Sequence, residues 1–154
     1  MQIDEIMASI EPFAIMAVVE QQESTGSNNT MLDGVGSTNL RIQDDDTDEY
    51  NCGRSSGGTA GGSVGDATTD PQLIEIHGVS GGYKLYQDGV DKTGTVYSGS
   101  DDLKGLTLGE RGDLDGDNLE VDFGAVYVLE NHNQNDLESI REIVKEKWNI
   151  NVSI

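Results

Sequence analysis

Asp113, Asp115 and Asp117 stand at alternate positions after Arg111-Gly112. This spacing lets a turn surround a hard divalent cation with carboxylate oxygens, as the first half of an EF-hand loop does. The pattern then departs from that loop: Asn118 stands where the turn glycine belongs, and Gly124 where the bidentate glutamate belongs. Glu120 is a late ligand only in a different loop geometry. The expectation is a Ca²⁺ or Mg²⁺ site built from Asp113, Asp115, Asp117 and Glu120, weighed against a solvated acidic turn between strands. No other cofactor is expected.

The remaining chemistry-bearing residues form no recognised set. His77 and His132 are the two histidines, and neither has the sequence neighbours of a Ser-His-Asp triad or of a metal motif. They read as ordinary surface or sheet histidines, with spatial convergence left open. The glycine run at 57–65 is followed by no Gly-Lys pair, so it carries no P-loop lysine. Gly78, Gly81 and Gly82 lie between two strand patterns and do not open a helix, which excludes a dinucleotide fingerprint. Carboxylates are abundant enough for glycoside hydrolysis, yet nothing selects one pair and aromatic sugar platforms are scarce. Cys52 is the single cysteine, which rules out an intramolecular disulfide. The adhesion-like tripeptide Arg111-Gly112-Asp113 and the sequons at Asn28 and Asn151 are short enough to arise by chance. No catalytic residue is assigned, and the expectation is a protein that is not an enzyme.

The elements that position these residues are mostly strands. Ile3, Ile6, Met7 and Ile10 recur at helical spacing, with Asp4 and Glu5 suited to a helix N-terminus and Pro12 ending it. Phe13 to Val19 is apolar on both faces of an alternating pattern, so 13–21 reads as the most buried strand. Leu40 and Ile42 alternate with polar neighbours. From Asp44 to about residue 71 the chain is acidic and then Gly/Ser/Thr-rich, with almost nothing to bury, and reads as one long loop. Strands follow at Ile74–Ile76, Tyr83–Gln87, Thr95–Tyr97, Leu106–Leu108, Leu119–Phe123 and Ala125–Leu129, and Asp88-Gly89 signals a hairpin. Leu137, Ile140, Val144 and Trp148 then line one face of a helix, capped by Asn135 or Asp136, with Glu138 completing a capping box from Asn135. Ile150, Val152 and Ile154 alternate as a short final strand. The fold expected is α+β and β-rich, in a single domain over 1–154: a short N-terminal helix, an antiparallel strand meander, a C-terminal amphipathic helix and a last strand.

Composition narrows the function classes. The 154 residues hold 29 Asp and Glu against nine Lys and Arg, a formal charge of -20, with 20 glycines and 34% hydrophobic residues. Such charge opposes compaction in dilute buffer and disfavours direct nucleic-acid binding, which needs basic residues to neutralise phosphates. Molar salt shortens the screening length to about 3 Å and removes most of the repulsion. No apolar stretch is long enough to span a bilayer as a helix, and Met1 leads into Gln2-Ile3-Asp4-Glu5 without the basic start and apolar run of an export signal. No membrane insertion is expected.

The spread of acid through nearly every segment, with few lysines and aromatics, resembles haloarchaeal proteins. A short helix, a strand meander and a helix followed by a strand is similar, in element order alone, to ring-forming tail and neck proteins of tailed viruses, and capsid decoration proteins are also small and β-rich. The resemblance implies a non-enzymatic structural subunit of a halophilic virus particle, a virion protein whose partners are other protein subunits, including copies of itself in a homo-oligomer. The alternative is a salt-adapted cytoplasmic binding module or inhibitor, including a nucleic-acid mimic that presents carboxylates where phosphates would lie.

Overall fold

The computed structural model describes residues 2–3, 13–21, 29–33, 41–44, 49–53, 62–66, 69–79, 82–93, 106–109 and 121–154. Their strands are β1 (Gln2–Ile3), β2 (Phe13–Gln21), β3 (Asn29–Asp33), β4 (Arg41–Asp44), β5 (Glu49–Gly53), β6 (Gly62–Asp66), β7 (Gln72–Val79), β8 (Gly82–Gln87), β9 (Val90–Asp91), β10 (Leu106–Leu108) and β11 (Val121–Glu130), followed by helix α1 (Gln134–Trp148). They form two antiparallel sheets, one ordered β1-β10-β3-β4-β5-β6 and the other β11-β2-β7-β8-β9.

The double-sided apolar pattern of β2 has a direct cause. Its odd residues Phe13, Ile15, Ala17 and Val19 join Ile74, Ile76 and Leu85 of their own sheet and Met31, Leu106 and Leu108 of the other, so the two sheets face one another across this core. Its even residues Ala14, Met16 and Val18 pack with Leu73 and with Leu137, Val144, Ile150 and Val152 from the helix and tail. β2 is thus the wall between a sheet–sheet core and a sheet–helix core, and of its residues Glu20 alone is exposed. Full burial stabilises each large aliphatic side chain by about 1.5 to 3 kcal/mol, so this strand anchors both layers.

β11 serves both cores through a bulge. Phe123 pairs with Val19 and Ala125 with Val18, which leaves Gly124 as the extra residue. Before the bulge Val121 and Phe123 pack on the sheet–sheet core, and after it Val126 and Val128 do. Ala125, Tyr127 and Leu129 turn to the helix side. A Cβ at Gly124 would lie 2.6 Å from the Trp148 Nε1 and 3.1 Å from the Val18 Cγ1, so only glycine lets the indole settle here.

The hairpin at Asp88-Gly89 forms as its residues require: φ is 51° at Asp88 and 76° at Gly89, the two positive values of a type I′ turn. Helix α1 starts two or three residues earlier than its sequence suggests. Asn133 is the cap, its side chain accepting from the Asn135 and Asp136 amides while Asp136 accepts the Asn133 amide. The capping box therefore uses Asn133 and Asp136 in place of Asn135 and Glu138. Asn149 closes the helix in the left-handed region at φ 56°.

Three further expectations change in the structure. The tail does not form a strand: the Val152 amide donates to the Ile150 carbonyl, closing a three-residue turn, and the Ser153 amide donates to the Asp88 carbonyl. Ile150 and Val152 are buried by this docking, while Ile154 stays exposed. Ile3, first in the expected N-terminal helical stripe, is instead in a strand against Leu106, and residues 4–12 lie outside the described residues. Within the segment 44–71, β5 and β6 pair as backbone strands, because ladder hydrogen bonds need no apolar pattern to form. The strand expected at Thr95–Tyr97 lies outside the described residues.

Candidate functional site

Alternation along β7 sends Ile74 and Ile76 into the sheet–sheet core and Leu73, Glu75 and His77 toward the helix. Tyr86 lies directly across from Glu75 on β8. On α1, Arg141 falls one turn after Leu137 and just under one turn before Val144, which places a guanidinium in the middle of the apolar stripe. The meeting is a two-pronged ion pair. Arg141 Nε donates to Glu75 Oε1 at 2.9 Å, and its terminal nitrogen donates to Oε2 at 3.0 Å. His77 Nε2 lies 2.8 Å from the same Oε2.

Aromatic contacts enclose the pair. The His77 ring stacks on Tyr86 with centroids 4.5 Å apart, the Arg141 guanidinium carbon lies 5.3 Å from the Tyr86 ring centre, and His132 approaches His77 edge-on at 5.8 Å. Glu75 is 0% exposed, and Arg141 and His77 are each 5% exposed. Burial alone pushes the Glu75 carboxyl up, but the hydrogen bonds of His77 and Arg141 and the charge of Arg141 outweigh it and hold the group below its usual range. Nearby, burial leads the upward shift of Asp88, whose Oδ1 accepts the Leu73 amide and whose charge is repelled by Glu75.

This cluster is a clamp between helix and sheet. Both Glu75 oxygens are engaged and the group is sealed from solvent, so it has neither the free acceptor nor the access that acid–base work on an outside molecule needs. Sequence reading left His77 and His132 apart and passed over Glu75 and Arg141. The available signal was a pair of complementary anomalies, a lone carboxylate in the run Leu73 to Ile76 and a lone guanidinium between Ile140 and Val144.

Beside the sealed cluster, His132 borders a cleft that is open to solvent. Where β11 ends and α1 begins, Leu129, Glu130, His132, Asp136, Ser139 and Ile140 line an open cleft of about 430 Å³. Asp136 Oδ2 is held by the Asn133 amide, and the Ser139 hydroxyl donates to the Asn135 carbonyl at 2.7 Å. The expected cation ligands Asp113, Asp115, Asp117 and Glu120 lie outside the described residues, as does the Arg111-Gly112-Asp113 tripeptide. Among the described residues no group of three or more His, Cys, Asp or Glu is placed to hold a metal, and no helix is long and apolar enough to cross a membrane.

The class that these observations define is an antiparallel two-sheet β-sandwich with one helix clamped on an outer face. No family model matches the sequence, and no curated protein matches it either. Solved structures do share the fold. A sialidase of Trypanosoma rangeli superposes with a TM-score of 0.66 at 14% identity over 88% of this chain and 23% of its own. Domain 4 of AbnA, a GH43 extracellular arabinanase from Geobacillus stearothermophilus solved with arabinotriose, gives 0.60 at 15% identity over 84% of this chain and 65% of that one. The cellulose induced protein Cip1 gives 0.59 at 19% identity over 77% and 67%. This chain thus spans under a quarter of the sialidase.

Proposed function

We propose that this chain is a non-enzymatic recognition module that binds a saccharide in concentrated salt. The observation that carries the reading is the shared sandwich fold with domain 4 of the arabinanase, a module solved with arabinotriose bound. The clamp is in keeping with the non-enzymatic part, because Glu75, His77 and Arg141 are buried and engaged with one another. Calorimetric titration in molar NaCl against arabino-, cello- and sialo-oligosaccharides tests it. Saturable heat with unaltered sugar recovered afterwards is the expected result. Silence across the whole panel at millimolar sugar, or a cleaved product, sinks the reading.

A second reading, the subunit of a halophilic virus particle, is favoured by a different observation. β11 is a ten-residue strand at the end of its sheet whose apolar residues on both faces are only partly buried. Edge strands of this kind are templates for pairing with another chain, a second copy included. Mass measurement in molar salt decides it: a closed oligomer supports assembly, and a monomer at high protein concentration removes it.

A further inference from the structure

We propose that the cleft between the end of β11 and the first turns of α1 is the saccharide site and that it selects a neutral sugar over an anionic one. This rests on the recognition reading above. The volume of about 430 Å³ lies within the range of small-ligand sites. Leu129 and Ile140 supply an aliphatic floor for the C–H face of a ring, and both also pack on the helix-side core, which holds them in place. Glu130 and Asp136 bring carboxylates, and the Ser139 oxygen, its proton committed to Asn135, presents lone pairs. These oxygens accept hydrogen bonds, which the ligand must donate to them.

Three classes of ligand meet that demand unequally. An anion is repelled by Glu130 and Asp136, and the first-turn amides at Asn135 and Asp136 that would attract it are taken by the Asn133 side chain. A cation is attracted, but molar salt screens charges beyond about 3 Å and supplies competing cations. Vicinal hydroxyls of a neutral sugar donate to carboxylates without relying on long-range charge, and salt leaves that contact largely intact. His132 is the pre-positioned member. It lies edge-on to His77, which is stacked on Tyr86 and bound to the buried Glu75, so the sheet-to-helix clamp sets the cleft wall.

The test is titration of the full chain with arabinotriose, cellotriose and sialyllactose in molar NaCl, using wild type, Ser139→Tyr to fill the cleft, Glu130→Ala to remove an acceptor, and Glu146→Gln on the exposed helix surface as control. A neutral trisaccharide binds wild type and the control alike, and loses about tenfold or more in affinity with each cleft variant, the worth of one charge-assisted hydrogen bond. Far-ultraviolet circular dichroism confirms that the variants fold. Wild-type binding that both cleft variants retain overturns the site while leaving the recognition reading standing. Sialyllactose binding as tightly as the neutral sugars, or affinity that falls steeply as NaCl rises, overturns the selectivity. No binding by wild type to any sugar removes the recognition reading, and this site with it.

Discussion

Breaking the clamp from either side should destabilise the domain strongly, and breaking it from both sides should not. Replacing one partner of a buried ion pair typically costs about 3 to 5 kcal/mol, because the other charge is left without compensation. A typical domain is stable by about 5 to 15 kcal/mol, so each single variant approaches the limit of folding. Glu75→Leu should be the worse of the two. It strands the Arg141 guanidinium, which cannot lose its proton, at a site 5% exposed with the Tyr86 face as its remaining support. Arg141→Met is milder, because Glu75 keeps His77 at 2.8 Å and can also take up a proton. The double variant replaces both charges by side chains of similar volume and should recover most of the loss, so the coupling in a double-mutant cycle approaches the sum of the single effects, about 5 kcal/mol or more. Urea unfolding at two NaCl concentrations is the assay. Added salt should leave the coupling unchanged, because mobile ions do not reach a pair sealed from solvent. Additive single effects, or a coupling that vanishes at high salt, would falsify the clamp. The pH dependence has a definite sign. Glu75 has a lowered folded value, so its contribution is present above its ordinary value near 4.5 and is lost as pH falls through the lower one.

Other expectations follow from single contacts. Asp88 has a raised folded value, so the cost of ionising it is absent below its ordinary 3.8 and appears as pH rises through the raised one. Asp88→Asn keeps the acceptor for the Leu73 amide and tolerates positive φ, so it should raise the melting temperature at neutral pH, whereas Asp88→Ala should lower it. Gly124→Ala should displace the indole of Trp148, seen as a red-shifted fluorescence maximum with a loss of stability, and an unchanged spectrum contradicts the close packing. Trp148→Ala should cost about 2 kcal/mol, below the 3 to 5 of a fully buried aromatic, because the ring is only partly covered and Lys147 caps it at 4.2 Å. Dialysis from molar to millimolar NaCl should abolish the β signal in circular dichroism through repulsion among the net -20 charges, and a spectrum indifferent to salt argues against salt adaptation.

Local periodicity was enough for several elements. The double-sided run Phe13 to Val19, the Asp88-Gly89 turn and the stripe Leu137, Ile140, Val144 and Trp148 all appear where side-chain spacing puts them, because each depends on near neighbours in the chain. Patterning does not say which strands share a sheet. The partition into two sheets, with β2 between β7 and β11, is settled by pairings across long stretches of chain, as is the bulge at Gly124, where the Trp148 indole leaves no room for a Cβ. The tail shows the same limit. Ile150, Val152 and Ile154 alternate like a strand, yet a turn at Val152 and the hydrogen bond from Ser153 to Asp88 decide their course. The candidate site was the least legible part. Glu75 and Arg141 are separated by 66 residues, and His77 and His132 come together only when α1 lies down on the sheet. Sequence alone determined the charge, the β-rich character and the helix face. Tertiary packing decided which isolated charges became partners, because an ion pair buried between a helix and a sheet exists only once both surfaces have closed over it.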